Sequence, residues 1–527
     1  MNDQTYIRTG DPAFDELIPR IAAFLDHDII EMTIDGRPVR GFRTPDAPSL
    51  WIRDHGDMMR GGKYFFPDLT TAVDHFAETQ SQSGRIFDYV TTFPEKLPCE
   101  KENWTKYVRV PVEADVEYRF VKAAYLAWQA TGDDGWIRRL LPSLERALQY
   151  IMNHPWYWDA EHGLVKRAYT IDTWDFAYTA GKHDWLQFQI DDDTFWGIMH
   201  GDNSGYYEAF RIMARLYERF GERDRAASWT SHAERLRDNL NTLCWNGRFY
   251  THFVKLSDMT IPGVDEAAQL SLSNPININR GVADLDRARS IIQEYIDRRA
   301  DTQAFAEWFS IDPPFPAGIF GDDKLVPGAY VNGGIMPLVG GELAKAALDH
   351  GYEAYGVDIL RRYHAMIAQA GQTYLWYFPD GTPATIEKST SPDAQPTDGW
   401  GSTAMLYALI EGLAGIQDRD KSFQRLRLSP RWPAAEIQHA EVRLAYAPSQ
   451  AAAAYTYNAD NRGIEMHVTA DAEEAAFHIL LPAGRLPGRV TVDGREVPAT
   501  VSETGPSRYV DFAAPVPGTV AAHVRFT

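Results

Sequence analysis

Two stretches of the chain set side chains able to move protons beside side chains able to hold a sugar. Thr170-Ile171-Asp172-Thr173-Trp174-Asp175-Phe176-Ala177-Tyr178 places two acids among three aromatics. A carboxyl packed against aromatic rings loses water, which raises its pKa toward the range of a general acid. An Asp capping a following helix would look the same locally, so residue types alone leave both readings open. Far downstream, Ile386-Glu387-Lys388-Ser389 leads into Gln395-Pro396-Thr397-Asp398-Gly399-Trp400-Gly401-Ser402. Two carboxylates brought to one cleft from distant parts of a chain are what glycoside hydrolysis needs. One protonates the leaving oxygen and the other activates water or attacks the sugar. The competing reading of Glu387 is an exposed Glu-Lys pair of little energetic consequence.

Other candidates are smaller. Trp51-Ile52-Arg53-Asp54-His55 offers a wall, a fork-shaped donor and an acceptor for sugar hydroxyls. Gly201-Asp202-Asn203 and Tyr330-Val331-Asn332 add polar contacts, and Trp174 and Trp400 add walls. By residue type, Trp51 and Trp400 serve equally well as core. Asp191-Asp192-Asp193 lacks the spacing of an EF-hand loop and reads as a solvated acidic turn. Asp192 and Asp193 remain alternatives to Asp175 as the acid. His55, His183, His200 and His364 form no His-Glu-x-x-His pattern, so no metal is expected. Gly333-Gly334 and Gly340-Gly341 form no dinucleotide fingerprint, no nucleophile elbow stands out, and no cofactor is called for.

These segments resemble motifs of one superfamily. Trp174-Asp175-Phe176 is similar to the Gly-Trp-Asp-Phe-Ser element of trehalases, and Glu387-Lys388 with Gly399-Trp400-Gly401-Ser402-Thr403 to their Glu-Lys-Tyr and Gly-Phe-Gly-Trp-Thr elements. Gly201-Asp202-Asn203 resembles the Val-Asp-Leu-Asn-Ala segment of trehalases and processing α-glucosidases. Tyr330-Val331-Asn332-Gly333-Gly334-Ile335-Met336-Pro337 resembles the Asn-Gly-Gly-Val-Trp-Pro element of debranching-type glycosidases. Trp51-Ile52-Arg53-Asp54 resembles the sugar grip of glucoamylases and debranching enzymes. The elements run in the family order over residues 51–416. The resemblance implies an α/α-toroid glycoside hydrolase in which Asp175 is the general acid and Glu387 the general base of an inverting reaction. It further implies that Trp51, Arg53, Asp54, His55, Trp174, Asp202, Asn203, Tyr330, Asn332 and Trp400 hold an α-linked glucoside or related oligosaccharide, with exo action if the funnel is closed. Thr173 in place of Gly, Ser389 in place of Tyr and the missing N-terminal trehalase signature argue against trehalose itself.

The elements that must position these residues show in the hydrophobic spacing. Helical stripes run from Phe14-Leu17-Ile18-Ile21 through Val116-Phe120-Ala123, Tyr206-Phe210-Met213, Leu285-Ala288-Ile292 and Val357-Leu360-Tyr363 to Ala404-Leu406-Leu409-Leu413. Long loops rich in Gly, Pro, Trp and Asp separate them at 155–203, 305–334 and 371–402. Paired helices with long loops at alternate junctions predict a mainly α chain, an (α/α)6 toroid of six hairpins over residues 1–420. A helical solenoid is the competing architecture. An Asp35-Gly36 hairpin near 31–43 interrupts the start. Alternating strands over 421–527, with a second Asp-Gly turn at Asp493-Gly494, predict a β-sandwich.

Composition narrows the partners. The 527 residues carry 52 Lys plus Arg against 73 Asp plus Glu, a formal charge of −21. That sign disfavours nucleic acid and anionic membranes, and no apolar run is long enough to cross a bilayer. Aromatics make up 13% of the chain, many beside carboxylates, which suits an oligosaccharide. With two cysteines, Cys99 and Cys244, and no secretory signal in view, the expectation is a cytoplasmic protein, as monomer or homo-oligomer. A disaccharide phosphorylase, a sugar epimerase or polysaccharide lyase using His55, His200 or Tyr178, and a non-catalytic carbohydrate-binding protein stay open as alternatives.

Overall fold

The computed structural model describes residues 4–43, 49–93, 102–107, 113–172, 194–320, 325–385, 388 and 396–527. Six helices, Ile52–Gly62, Val116–Thr131, His200–Arg219, Ser273–Arg280, Pro337–Asp349 and Gly399–Tyr407, pack each on the next, and the last packs on the first. The ring therefore closes in chain order. Its members are buried nearly all round: Pro337–Asp349 hides every residue from Pro337 to Leu348. A second set packs outside with one apolar stripe each, as in Arg223–Leu243, which buries only Trp229, Ala233, Leu236 and Leu240. Leu17–His27, Asp134–Asn153, Leu285–Asp301 and Glu353–Ala370 pack against the ring in the same way.

Close approach of ring helices explains Gly340-Gly341. A Cβ on Gly341 would lie 2.3 Å from the Ala404 carbonyl carbon, so this pair is a helix-packing seam. Two sequence stripes are broken in the structure. Phe14 lies on a short helix, Pro12–Asp15, and a new helix starts at Leu17. Pro19 supplies the reason, because its ring would clash with the Asp15 carbonyl in a continuous helix. The last stripe changes period at Ala408, where Gly399–Tyr407 gives way to a π-helix over Ala408–Leu413.

The ring helices run in one sense, and the long connections lie before their N-termini. These connections carry small sheets: Leu50–Trp51 with Tyr89–Thr92 and Trp104–Tyr107, and Trp158–Asp159 with Leu164–Ala168, Trp196–Ile198 and Val254–Lys255. The hairpin Ile29–Ile34 with Arg37–Phe42 turns at Asp35-Gly36, both at positive φ.

At the opposite end sits a ten-stranded sheet built on two long strands, Gly463–Leu480 and Ser507–Phe526, paired antiparallel with an irregularity between Ala472 and Ala475. Residues Tyr6–Arg8 pair with His439–Ala445, so the first strand of the chain joins its last sheet. Arg431 donates to the Gly412 carbonyl at 2.6 Å and pairs with Asp349 at 2.8 Å, fastening sheet to ring. Cys244 is fully buried, and burial pushes its thiol up to about 12. Among the described residues no helix is long and apolar enough to cross a membrane.

Candidate active site

The N-terminal mouth of the ring is built on charged side chains that the first helical turns bring together. Arg53, in the first turn of Ile52–Gly62, donates from Nε to Asp115 Oδ2 at 2.9 Å and from Nη2 to Asp115 Oδ1 at 2.8 Å. The same Nη2 reaches Glu113. Asp115 directly precedes Val116–Thr131, where its charge also meets the positive end of that helix. Arg119 spans Asp115 and Asp57, and the Trp400 indole donates to Asp57 Oδ2 at 2.9 Å. Ion pairs thus tie the first two ring helices together, and the Trp400 hydrogen bond joins the last one to them. Burial opposes the Asp115 charge, but the Arg53 and Arg119 guanidiniums hold it well below the usual carboxylate range. At Asp57 the same contest between burial and Arg119 ends at about 2.

A second cluster anchors the loop that follows strand Leu164–Ala168. Asp172, at φ 48°, donates its backbone N–H to His252 Nε2 at 2.8 Å, and its carboxylate takes the Ser273 hydroxyl and backbone N–H. His200 Nε2 lies 3.1 Å from Ser271 Oγ and its Nδ1 lies 2.8 Å from the Asn277 amide. Burial lowers His200 to about 4 and His252 to about 3, so both rings are neutral at pH 7. Arg167 donates to both oxygens of Asp202 at 3.2 Å, yet burial outweighs it and raises Asp202 to about 6.

A third group surrounds the start of Gly399–Tyr407. Asp398 caps this helix, accepting from Trp400 and Gly401 backbone N–H. Asp28 is fully buried beside it, and burial, then the Asp398 carboxylate, push it well above the usual range. A Cβ on Gly399 would sit 2.1 Å from Asp28 Oδ2, so any larger residue here would have to displace the Asp28 carboxylate. Aromatic rings stack within the connections. Trp51 stacks on Tyr89 with centroids 4.0 Å apart, and Tyr89 on Tyr107 at 4.5 Å. Tyr169 stacks on Phe195 at 5.0 Å.

The sequence candidates divide. Asp175, Glu387 and Trp174 lie outside the described residues, as do Asp191, Asp192, Asp193, Tyr178 and His183. Trp51, Arg53 and Asp54 lie together at the mouth, partly exposed, with Arg53 already gripping carboxylates of the protein. Tyr330 is partly exposed at φ 49° and its carbonyl accepts from Ser310 Oγ at 2.9 Å. Trp400 is 5% exposed and tied to Asp57. Four others are almost wholly buried and bonded inside the protein. His55 Nδ1 accepts the Phe42 N–H at 3.2 Å. Asn203 holds Val165 through both its N–H and its C=O. Asn332 spends both amide protons on the Phe315 and Leu325 carbonyls. Asp202 is closed by Arg167. These four hold the loops that shape the mouth.

Sequence reasoning passed over Asp28, Asp57, Glu113, Asp115, Arg119 and Arg167. Asp115 alone carries a local signal, an Asp directly before an apolar helical stripe. Among the described residues no group of three or more metal-ligating side chains forms.

No protein-family model and no curated protein sequence matches the chain. Solved structures do. An α-L-rhamnosidase from Dictyoglumus thermophilum matches with a TM-score of 0.61 at 10% identity, over 99% of this chain and 50% of that one. The Streptomyces avermitilis α-L-rhamnosidase complexed with L-rhamnose gives 0.60 at 14%, over 99% and 42%. The GH63 mannosylglycerate hydrolase from Thermus thermophilus, with Tris and D-glycerate, gives 0.51 at 15%, over 75% and 99%. The chain shares its fold with glycoside hydrolases of the α/α-toroid type. It spans half or less of the length of these two rhamnosidases and nearly all of the mannosylglycerate hydrolase.

Proposed function

We propose that this protein is an inverting glycoside hydrolase acting on an α-linked glucoside or a related oligosaccharide, exo-acting, with its active site at the N-terminal mouth of the ring. The observation that carries the reading is the mouth itself: anchored carboxylates, guanidinium forks and stacked aromatics gather where the acid-bearing loops begin and end. Asp172, immediately upstream of the Thr173-Trp174-Asp175 segment, is bonded to His252 and Ser273. Asp398, downstream of Glu387, caps a ring helix. In this reading Asp175 protonates the glycosidic oxygen and Glu387 deprotonates a water on the opposite face of the sugar. An inverting mechanism calls for carboxyl groups roughly 6.5–9.5 Å apart, with room between them for that water. Trp51, backed by Tyr89, offers a face for the sugar's C–H groups, and Asp54 and Tyr330 bond its hydroxyls. We read the closed ring with its outer helices as a six-hairpin barrel over 1–420, and the tail over 421–527 as a sandwich folded through its two long strands. The fold neighbours' substrates widen the sugar panel to rhamnosides and mannosides.

The test is a hydrolysis screen over α- and β-linked glucosides, rhamnosides and mannosides, with the first-formed anomer read by proton NMR. Release of an inverted sugar supports the reading. Retention removes the water-activating role of Glu387, and turnover only with added phosphate makes the protein a phosphorylase.

A further inference from the structure

The C-terminal end of the ring holds a second polar chamber that the reading above leaves unused. It is a cavity of about 430 Å³ lined on one side by the middle and last turns of the ring helices and on the other by residues 417–427. Nine Lys and Arg side chains line it against five Asp and Glu, in a chain whose net charge is −21. Arg53 opens the same helix whose end carries Lys63. Ten residues at 1.5 Å per residue put Lys63 roughly 15 Å along the helix from Arg53, while Arg60 and Lys122 at the chamber's near wall lie one turn beyond Asp57 and Arg119.

Some of the positive charge is matched inside the protein. Arg60 pairs with Glu342, Lys122 with Glu208 at 2.9 Å, and Lys345 with Asp349. The rest is not. Lys63 is 2% exposed, and its hydrogen bond goes to the uncharged Gln129 Oε1 at 2.8 Å, with the Tyr64 and Tyr446 rings 5.4 Å away. Among the described residues it has no carboxylate within ion-pair distance. Arg427 and Arg419, from the sheet side, have no ion pair among the described residues either. Burial pushes Lys63 and Arg427 below their ordinary values despite nearby carboxylates, as cations short of counter-charge behave. Cations near helix C-termini offset the macrodipole, but that field is equivalent to only about half a charge per helix and fades within a turn.

We propose that this chamber binds a small phosphate-bearing anion, with Lys63, Arg419 and Arg427 supplying the charge that the protein leaves unmatched. Guanidinium forks suit phosphate oxygens, and the walls of Tyr125 and Tyr407 leave room for an organic part larger than orthophosphate.

The test is isothermal titration calorimetry of the full chain with inorganic phosphate and with glucose 6-phosphate, using acetate as the control anion. Saturable one-to-one binding is expected, weakened at least tenfold in Lys63→Met and in the double variant Arg419→Gln/Arg427→Gln, and unchanged in Asp175→Asn. Tighter binding of glucose 6-phosphate than of phosphate identifies an organic phosphate ester as the occupant, and equal binding identifies phosphate itself. The double variant lies on the sheet side of the chamber, so the test stands if Lys63→Met fails to fold. No saturable binding of either probe, or binding that both variants retain, overturns the proposal.

Discussion

The N-terminal and C-terminal ends of the helix ring carry opposite chemistry. At the N-terminal mouth carboxylates outnumber cations, and the buried guanidiniums Arg53, Arg119 and Arg167 are each closed by an aspartate. At the C-terminal chamber cations outnumber carboxylates, and Lys63 rests on a glutamine. Helix dipoles favour this arrangement, since ring helices present N–H groups at one end and C=O groups at the other. The difference lies in charge pairing. Each of the three mouth guanidiniums meets an aspartate, whereas Lys63, Arg419 and Arg427 have no ion pair among the described residues.

Breaking the closed network should have the largest effect. Asp115→Ala strands Arg53 and Arg119 without their shared carboxylate, and loss of a buried ion-pair partner costs about 3–5 kcal/mol. Urea unfolding should show a loss of that order, and a loss below about 1 kcal/mol would mean the network does not hold the mouth together. Glu117 comes next. Burial pushes its carboxyl up to about 8, against the Ile86 N–H that it accepts. With the folded-state pKa above the unfolded one, the native state holds the extra proton, so this group's stability is full below about pH 4.5 and lost as pH rises through 8. The unfolding midpoint should therefore fall between pH 5 and pH 8.5, and Glu117→Gln should shrink that fall. Trp51→Ala, which removes one face of the Trp51–Tyr89 stack, should raise KM about tenfold with little change in kcat, the cost of roughly one stacking contact. The smallest effect has the opposite sign. In phosphate-free buffer Lys63→Met should leave Tm unchanged or raise it by a few degrees, because it removes a buried charge that has no counter-ion. A clear drop in Tm would mean the chamber is already balanced.

Much of the ring was legible in the sequence because its helices follow the simplest signal, apolar spacing between long loops. The Asp-Gly turns at Asp35 and Asp493 were equally plain, since both need positive φ at paired positions. The strand Tyr6–Arg8 was not, because three residues carry no period and its partner lies at the far end of the chain. The site was legible as a set of loops and less so as a set of side chains. Asn203 and Asn332 sit in motifs that look like sugar contacts, yet a buried amide must satisfy itself, and both do so on backbone. Arg53, Asp115 and Asp57 meet across sequence gaps that no local pattern marks.

The central claim is that glycosidic chemistry belongs to the N-terminal mouth and not to the C-terminal chamber. It is tested most directly by assaying Asp175→Asn, Glu387→Gln and Arg427→Gln side by side on the substrate that the screen identifies, without added phosphate. The first two should lose about 10²–10⁴-fold in kcat, as expected for a general acid and base, and Arg427→Gln should hydrolyse at the wild-type rate. Wild-type rates in Asp175→Asn and Glu387→Gln, or loss confined to Arg427→Gln, would contradict it.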